Sequence, residues 1–221
     1  MKRCCARQTS LLFSLTVLLA CMLGMTAAHS AEMLTGKPLV AALRKGGYVL
    51  IMRHASSPRA RPSKATADPG NTALERQLDQ KGRDEAQAMG KAIRALGIPI
   101  VDVVSSPAFR AVETVRQAKL GKPMTFRELA ESEKGMAGKI GPKQAEWLRK
   151  RAEETPPKGT DTLVVTHTPN IKASFGKEAA GIQSGEALVF KPDGKGGTTL
   201  VARIKMQDWP LLASGKAQPS N

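Results

Sequence analysis

Three short apolar runs, Tyr48 to Met52, Val101 to Val104 and Thr162 to Thr166, alternate with stretches of helical periodicity, and this alternation limits the possible folds most sharply. Strands that are apolar at nearly every position must be covered on both faces, which in practice means a parallel sheet between layers of helices. Helical patterns occupy the intervals. Pro38 to Lys45 reads as a short helix stopped by Gly46 and Gly47, and Asp79 can cap a helix whose Ala86, Met89, Ile93 and Leu96 recur at helical spacing up to Gly97. Further helices are predicted from about Phe109 to Ala118 and from Gln144 to Glu154. A short strand is predicted near Met124 to Phe126, and Ala187 to Phe190 pairs with Thr199 to Ile204 across the turn-rich Pro192 to Gly197. Residues 55 to 75, rich in Ser, Pro, Ala and Arg without a period, read as a long surface loop. The predicted fold class is α/β: a three-layer α/β/α domain with a mainly parallel central sheet.

A chain of 221 residues supports one ordinary domain with a sizeable core, and 41% hydrophobic against 24% charged residues excludes a disordered or fibrous chain. The first 30 residues stand apart. Lys2, Arg3 and Arg7 precede the apolar run Leu11 to Leu23, and small residues follow around Ala27, Ala28, Ser30 and Ala31, the order of a secretory signal peptide. Cleavage after Ser30 is preferred, with Ala28 at the minus-three position; cleavage after Ala28 fits nearly as well. A retained anchor would need about 20 apolar residues, more than this run offers. Lipoprotein processing at Cys21 is a second rival, weakened because the apolar run continues past that cysteine. The expected organisation is therefore a leader over 1–30 and a single domain over 31–221, in the periplasm or secreted.

Removing the leader takes away Cys4, Cys5 and Cys21, so disulfides, thiolate metal sites and a cysteine nucleophile leave with it. Of the 34 Lys and Arg, 31 remain against 19 acidic residues, a net charge near +12 that favours anionic partners. Nucleic acid is not the expected one, because aromatics make up 4% of the chain and no binding motif occurs. Only two histidines remain, His54 and His167.

Both stand where a parallel sheet gathers ligands, just past the carboxyl ends of strands. The first run leads into Arg53-His54, the second into Ser105-Ser106-Pro107-Ala108-Phe109-Arg110, and the third into His167-Thr168-Pro169-Asn170. A neutral imidazole is a good nucleophile toward phosphorus, and neighbouring guanidiniums disfavour its protonation. Arginine forks bind phosphoryl oxygens bidentately. No P-loop or paired-carboxylate metal motif competes for the role, and no cofactor is called for. Ser105 or Ser106 is placed to donate to a phosphate or orient His54, or else to cap the helix beginning near Pro107. Arg59, Arg61 and Arg76 would reach a second anionic group if the long loop folds back; otherwise they are solvated. Trp147 and Trp209 read as packing residues.

Arg53-His54-Ala55, Leu78-x-x-x-Gly82-x-x-x-Ala86, Ser105-Ser106-Pro107-x-x-Arg110-Ala111-x-x-Thr114 and Val165-Thr166-His167 together resemble the histidine phosphatase, or phosphoglycerate mutase-like, superfamily over residues 48 to about 205. The resemblance implies a phosphohistidine on His54, a phosphate pocket of Arg53, Arg110 and His167, to which Ser105 is added as a candidate from its place at the strand end, and a carboxylic acid that protonates the leaving alkoxide. The segment between Gly138 and Thr162 is too short for a helical cap domain, so the compact branch fits. Two positions depart from the pattern. Ala55 stands where the family has glycine, which a negative φ would tolerate. The acid falls in Leu129-x-Glu131-x-x-x-Gly135-x-x-Gly138, which resembles the family's Leu-x-Glu element and points to Glu131, with Glu128 and Glu133 in the same loop.

The activity expected is that of an exported, metal-independent phosphomonoesterase acting on a phosphorylated small molecule or envelope phosphate. A protein phosphohistidine phosphatase and a catalytically silent phosphate-binding module are the alternatives. Mutase activity is disfavoured because export would separate the enzyme from glycolytic metabolites.

Overall fold

In a computed structural model, which describes residues 33–131 and 140–216, the first apolar run forms β1 (Val49–Arg53) and its side chains alternate between two cores. Leu50 and Met52 enter one, Val49 and Ile51 the other, and all four are at most 1% exposed. The same alternation governs β2 (Ile100–Ser105), where Val103 and Val104 part, and β4 (Asp161–Thr166), where Leu163 and Val165 oppose Val164. The remaining strands are β3 (Met124–Thr125), β5 (Ala187–Pro192) and β6 (Thr198–Ile204). Their order across one sheet is β3-β2-β4-β1-β5-β6. The first four run parallel, and β5 is antiparallel to β1 and β6.

Helices cover both faces, as strands buried on two sides require. The first core takes side chains from α1 (Gly36–Lys45), α2 (Gln80–Ala95), α3 (Phe109–Ala118) and α6 (Trp209–Ala213); the second takes them from α4 (Pro142–Glu153) and α5 (Thr168–Phe175). Asp79 caps α2 by accepting from the Gly82 N–H at 2.7 Å. Trp209 is fully buried in the first core, while Trp147 packs on the second, tilted against Phe126 with ring centroids 5.1 Å apart. The described residues belong to one compact unit, and among them no helix is long and apolar enough to cross a membrane. Residues 1–30, and with them the leader, lie outside the described part.

Two helices go beyond the sequence reading. Helix α5 has only eight residues and begins Thr168-Pro169-Asn170, which on its own reads as a turn; Pro169 occupies a first-turn position, where its missing N–H costs nothing. Helix α6 has five residues and opens Trp209-Pro210. Both are held by packing rather than by periodicity.

Candidate active site

Because β1, β2 and β4 are adjacent and parallel, their carboxyl ends meet at one edge. Arg53 lies opposite Thr166 and Ser105 opposite Val165 in the ladder, so His54 follows level with His167, and Ser106 level with Thr166 one residue before it. Main-chain bonds fix that level. His54 N–H donates to the Thr166 carbonyl at 3.0 Å, and Ser106 N–H to that of Val165 at 2.9 Å. Gly185 N–H donates to the carbonyls of Arg53 and His54 at 3.1 and 3.0 Å, from a φ of +72° that favours glycine.

The segment past His54 is clamped to α2 and α3. Ala55 N–H donates to Thr114 Oγ1 at 3.0 Å, and Ser56 Oγ donates to Asp79 Oδ2 at 2.7 Å. A Cβ on Gly82 would stand 2.2 Å from the Ser56 carbonyl oxygen, so no larger residue fits there. Ala55 is fully buried and is not among the described non-glycine residues of positive φ, which are Leu74 and Lys119. Its methyl group therefore meets no backbone penalty.

Hydrogen bonds fix the tautomers of both imidazoles. His54 Nδ1 lies 2.7 Å from the Ala55 carbonyl, which can only accept, so Nδ1 carries the proton and Nε2 holds a lone pair. Arg110 Nε donates to that Nε2 at 3.2 Å. Arg110 Nη2 donates to Glu131 Oε2 at 2.6 Å and to His167 Nδ1 at 3.0 Å. A guanidinium has no acceptor, so the His167 proton lies on Nε2 and is donated to Ser106 Oγ at 2.8 Å. Ser106 Oγ also accepts from the Ala108 N–H at 3.2 Å. Arg110 thus joins both histidines and Glu131 through one planar group. The imidazole centroids are 5.2 Å apart.

Burial, and after it the Arg110 charge, pushes the His54 imidazole down to about 3, so it stays neutral across the physiological range. His167 is held well below its ordinary value for the same two reasons in the same order. The guanidiniums expected to lower the imidazoles do so, and loss of water is the larger cause, because His54 is 3% exposed and His167 fully buried. Arg110 is lowered by burial and raised again by Glu131.

Arg53 donates Nη1 to the Ile182 carbonyl at 3.3 Å, and its buried Nε has no partner among the described residues. Ser105 needs correction: it is fully buried and its hydroxyl donates to the Ser106 carbonyl at 2.9 Å, because alternation along β2 turns it away and brings the Ser106 hydroxyl to His167 instead. Glu128 meets Asn170 through its main-chain carbonyl, at 3.3 Å. Glu133 lies outside the described residues. Arg59 and Arg61 are exposed, but Arg76, which composition alone gave no reason to separate from them, is drawn in: it donates to the carbonyls of Pro58 at 2.9 Å and Ser57 at 3.2 Å. Among the described residues no group of three or more His, Cys, Asp and Glu side chains gathers where a metal ion could be held. A cavity of about 510 Å³ lined by Leu34, Glu186, Arg203 and Lys205 is separate from this cluster, whose residues do not line it.

A family model for the histidine phosphatase superfamily (branch 1) matches residues 49–161. That is half the chain, and it includes Arg53, His54, Arg110 and Glu131. The chain belongs to the histidine phosphatase superfamily. His167 lies past the matched segment, and it is the β1–β4 pairing that sets it beside the others. Among solved structures, the chain is similar to the protein histidine phosphatase SixA complexed with tungstate, at 19% identity and a TM-score of 0.54 over 73% of this chain and 98% of that one. Phosphoserine phosphatase from Entamoeba histolytica in complex with 3-phosphoglyceric acid aligns at 14% identity and a TM-score of 0.49, over 73% and 98%. The first likeness supports the histidine phosphatase fold, with its mainly parallel sheet between helices. No curated protein matches the chain.

Proposed function

We propose that the protein is an exported, metal-independent phosphomonoesterase that carries the phosphoryl group on His54 Nε2. The observation that carries this reading is the state of His54: a neutral imidazole, its proton fixed on Nδ1 by the Ala55 carbonyl, with the Nε2 lone pair directed at the Arg110 guanidinium. A phosphoryl group placed there meets a nucleophile needing no deprotonation, and cations that offset its charge. The protein histidine phosphatase SixA of the same fold holds tungstate, an oxyanion of phosphate-like shape, which accords with such a pocket.

The chemistry balances with the groups present. Phosphoryl oxygens take over the Arg110 N–H groups, releasing His54 Nε2 and Glu131. Nε2 forms a bond to phosphorus, the ester P–O bond breaks, and the departing alkoxide takes a proton from the Glu131 carboxyl. The positive charge that develops on the imidazole is supported at Nδ1 by the Ala55 carbonyl. Water then attacks phosphorus, gives its proton to the Glu131 carboxylate, and the N–P electron pair returns to Nε2 as phosphate leaves. His167 keeps Arg110 in plane by accepting from Nη2 while Ser106 holds the imidazole. Arg53 and Arg110 supply positive charge that a metal would otherwise provide.

Export and a periplasmic or secreted location rest on the pattern of residues 1–30. Substrates are phosphorylated small molecules or envelope phosphates. The test is turnover of nitrophenyl phosphate by the protein in excess chelator. Undiminished hydrolysis supports the reading. Hydrolysis that appears only with an added divalent ion refutes metal independence, and phosphate binding without turnover would leave a silent binding module instead.

A further inference from the structure

The carbonyls of the three residues just before Glu131 are each taken by a side chain. Thr166 Oγ1, at the end of β4, donates to Leu129 at 2.9 Å. Asn170 Nδ2, in the first turn of α5, donates to Glu128 at 3.3 Å and to Ala130 at 3.1 Å, and Gln144 Nε2 of α4 adds a 3.4 Å bond to Ala130. A carbonyl can only accept, so the nitrogen of the Asn170 amide is the atom that faces Glu128 and Ala130. Leu129 itself is fully buried in the second core. The segment that carries the acid is thus held by its main chain, from the elements that begin and follow at His167.

The Asn170 amide reaches out of its own helix. Asn170 is 1% exposed, and its Oδ1 has no partner among the described residues. An uncompensated acceptor is costly in such a place, and a leucine would fill nearly the same shape without it, so what only the amide offers is its pair of donors. Asn170 follows His167 by three residues, and α5 starts from His167. The start of α5 therefore bears on two partners of Arg110: His167 accepts from Nη2 directly, and Asn170 holds the residue next to Glu131, which accepts from the same Nη2. These tethers part during the reaction. Once phosphoryl oxygens take the Arg110 donors, the Glu131 carboxyl, 28% exposed, loses its side-chain partner and keeps its place through the main chain alone.

We propose that Asn170 is a positioning residue for the general acid, whose amide holds the Glu128 and Ala130 carbonyls so that the Glu131 carboxyl stays at the leaving oxygen after Arg110 has turned to the phosphate. Asn170 touches no reacting atom and acts through Glu131. The inference rests on the phosphomonoesterase reading with Glu131 as its acid.

Asn170→Leu, which keeps the shape and removes the donors, tests it on ethyl phosphate and nitrophenyl phosphate, with Asn170→Ala as the second variant should leucine fail to fold. Hydrolysis of ethyl phosphate should fall about tenfold in kcat, part of the roughly hundredfold or more that a positioned acid contributes, while nitrophenyl phosphate, whose leaving group scarcely needs a proton, should fall less than about threefold. KM should stay the same for both esters. In a Glu131→Gln background the Asn170 variants should leave the ethyl-to-nitrophenyl ratio where Glu131→Gln alone puts it, as for two residues that act as one unit. A loss of packing would instead slow both esters alike, and that result, or an unchanged ratio in both Asn170 variants while Glu131→Gln lowers it, overturns the inference and leaves Glu131 as the acid. A ratio that Glu131→Gln also leaves unchanged overturns the assignment of the acid and the inference with it, and wild-type hydrolysis of neither ester overturns the phosphomonoesterase reading itself.

Discussion

Replacing Arg110 with lysine keeps the positive charge and removes the planar fork, so it separates charge from geometry. Arg110 spends Nε on His54 and Nη2 on both Glu131 and His167, in a side chain 7% exposed. A single ammonium cannot span all three directions from one atom, and one or two charge-assisted bonds must be lost, each worth about 1.5–3 kcal/mol. The two phosphoryl oxygens that a fork would hold together lose the same geometry. The expected cost is about 2–4 kcal/mol of transition-state stabilisation, a drop in kcat/KM of roughly 30- to 1000-fold. Nitrophenyl phosphate is a suitable substrate, with circular dichroism and a melting curve to show that the variant is folded. A folded variant whose kcat/KM falls less than threefold would mean that Arg110 does not clamp phosphate.

Glu131→Gln should slow alkyl phosphates far more than nitrophenyl phosphate, whose departing phenolate scarcely needs a proton; an alkyl-to-aryl ratio unchanged in this variant, Glu128→Gln and Glu133→Gln would place the donor elsewhere. Ser106→Ala leaves the buried His167 Nε2–H without its acceptor and should cost about 1–3 kcal/mol in a denaturant titration, and no loss would show that the bond does not hold the imidazole. Asp161, at the opposite edge of the sheet, is fully buried, accepts the Tyr48 N–H on Oδ1 and leaves Oδ2 without a partner, and burial pushes its carboxyl up to about 7. The folded state therefore holds a proton that the unfolded state releases near 3.8, and stability is lost as pH rises between those values, by a few kcal/mol on the order of 1.4 per pH unit. Asp161→Asn should remove that loss and gain stability over the parent above pH 7, measured by urea unfolding at pH 5 and pH 8; equal differences at both would contradict it.

The sheet was readable because its inner strands are apolar at consecutive positions, and only a two-sided burial explains Val49 to Met52 or Leu163 to Val165. His54 and His167 were readable for a related reason: the parallel order carries strand ends to one edge, so position in sequence translates into position in space. What periodicity could not supply was the aim of individual side chains. Two adjacent serines look alike in sequence and both are fully buried, yet the Ser105 hydroxyl donates to the Ser106 carbonyl while the Ser106 hydroxyl accepts from His167. Arg76 was indistinguishable from Arg59 and Arg61 because its place depends on Asn71 and Glu75 folding an aperiodic loop back on α3. Helix α5 was hidden by its length and its proline, and it is stabilised by contacts that no local pattern announces. Neighbouring guanidiniums do lower His54, as its sequence neighbours imply, but the larger share comes from burial, which depends on the whole fold.

Rapid acid and alkaline quenching of the protein during turnover of a radiolabelled phosphate ester, followed by mapping of the labelled residue, tests the phosphoryl-transfer mechanism most directly. The wild-type protein should carry label that survives alkali, is lost in acid and maps to His54, and His54→Ala should carry none and turn over no substrate. Label that survives acid, label on another residue, or sustained turnover by His54→Ala would contradict it.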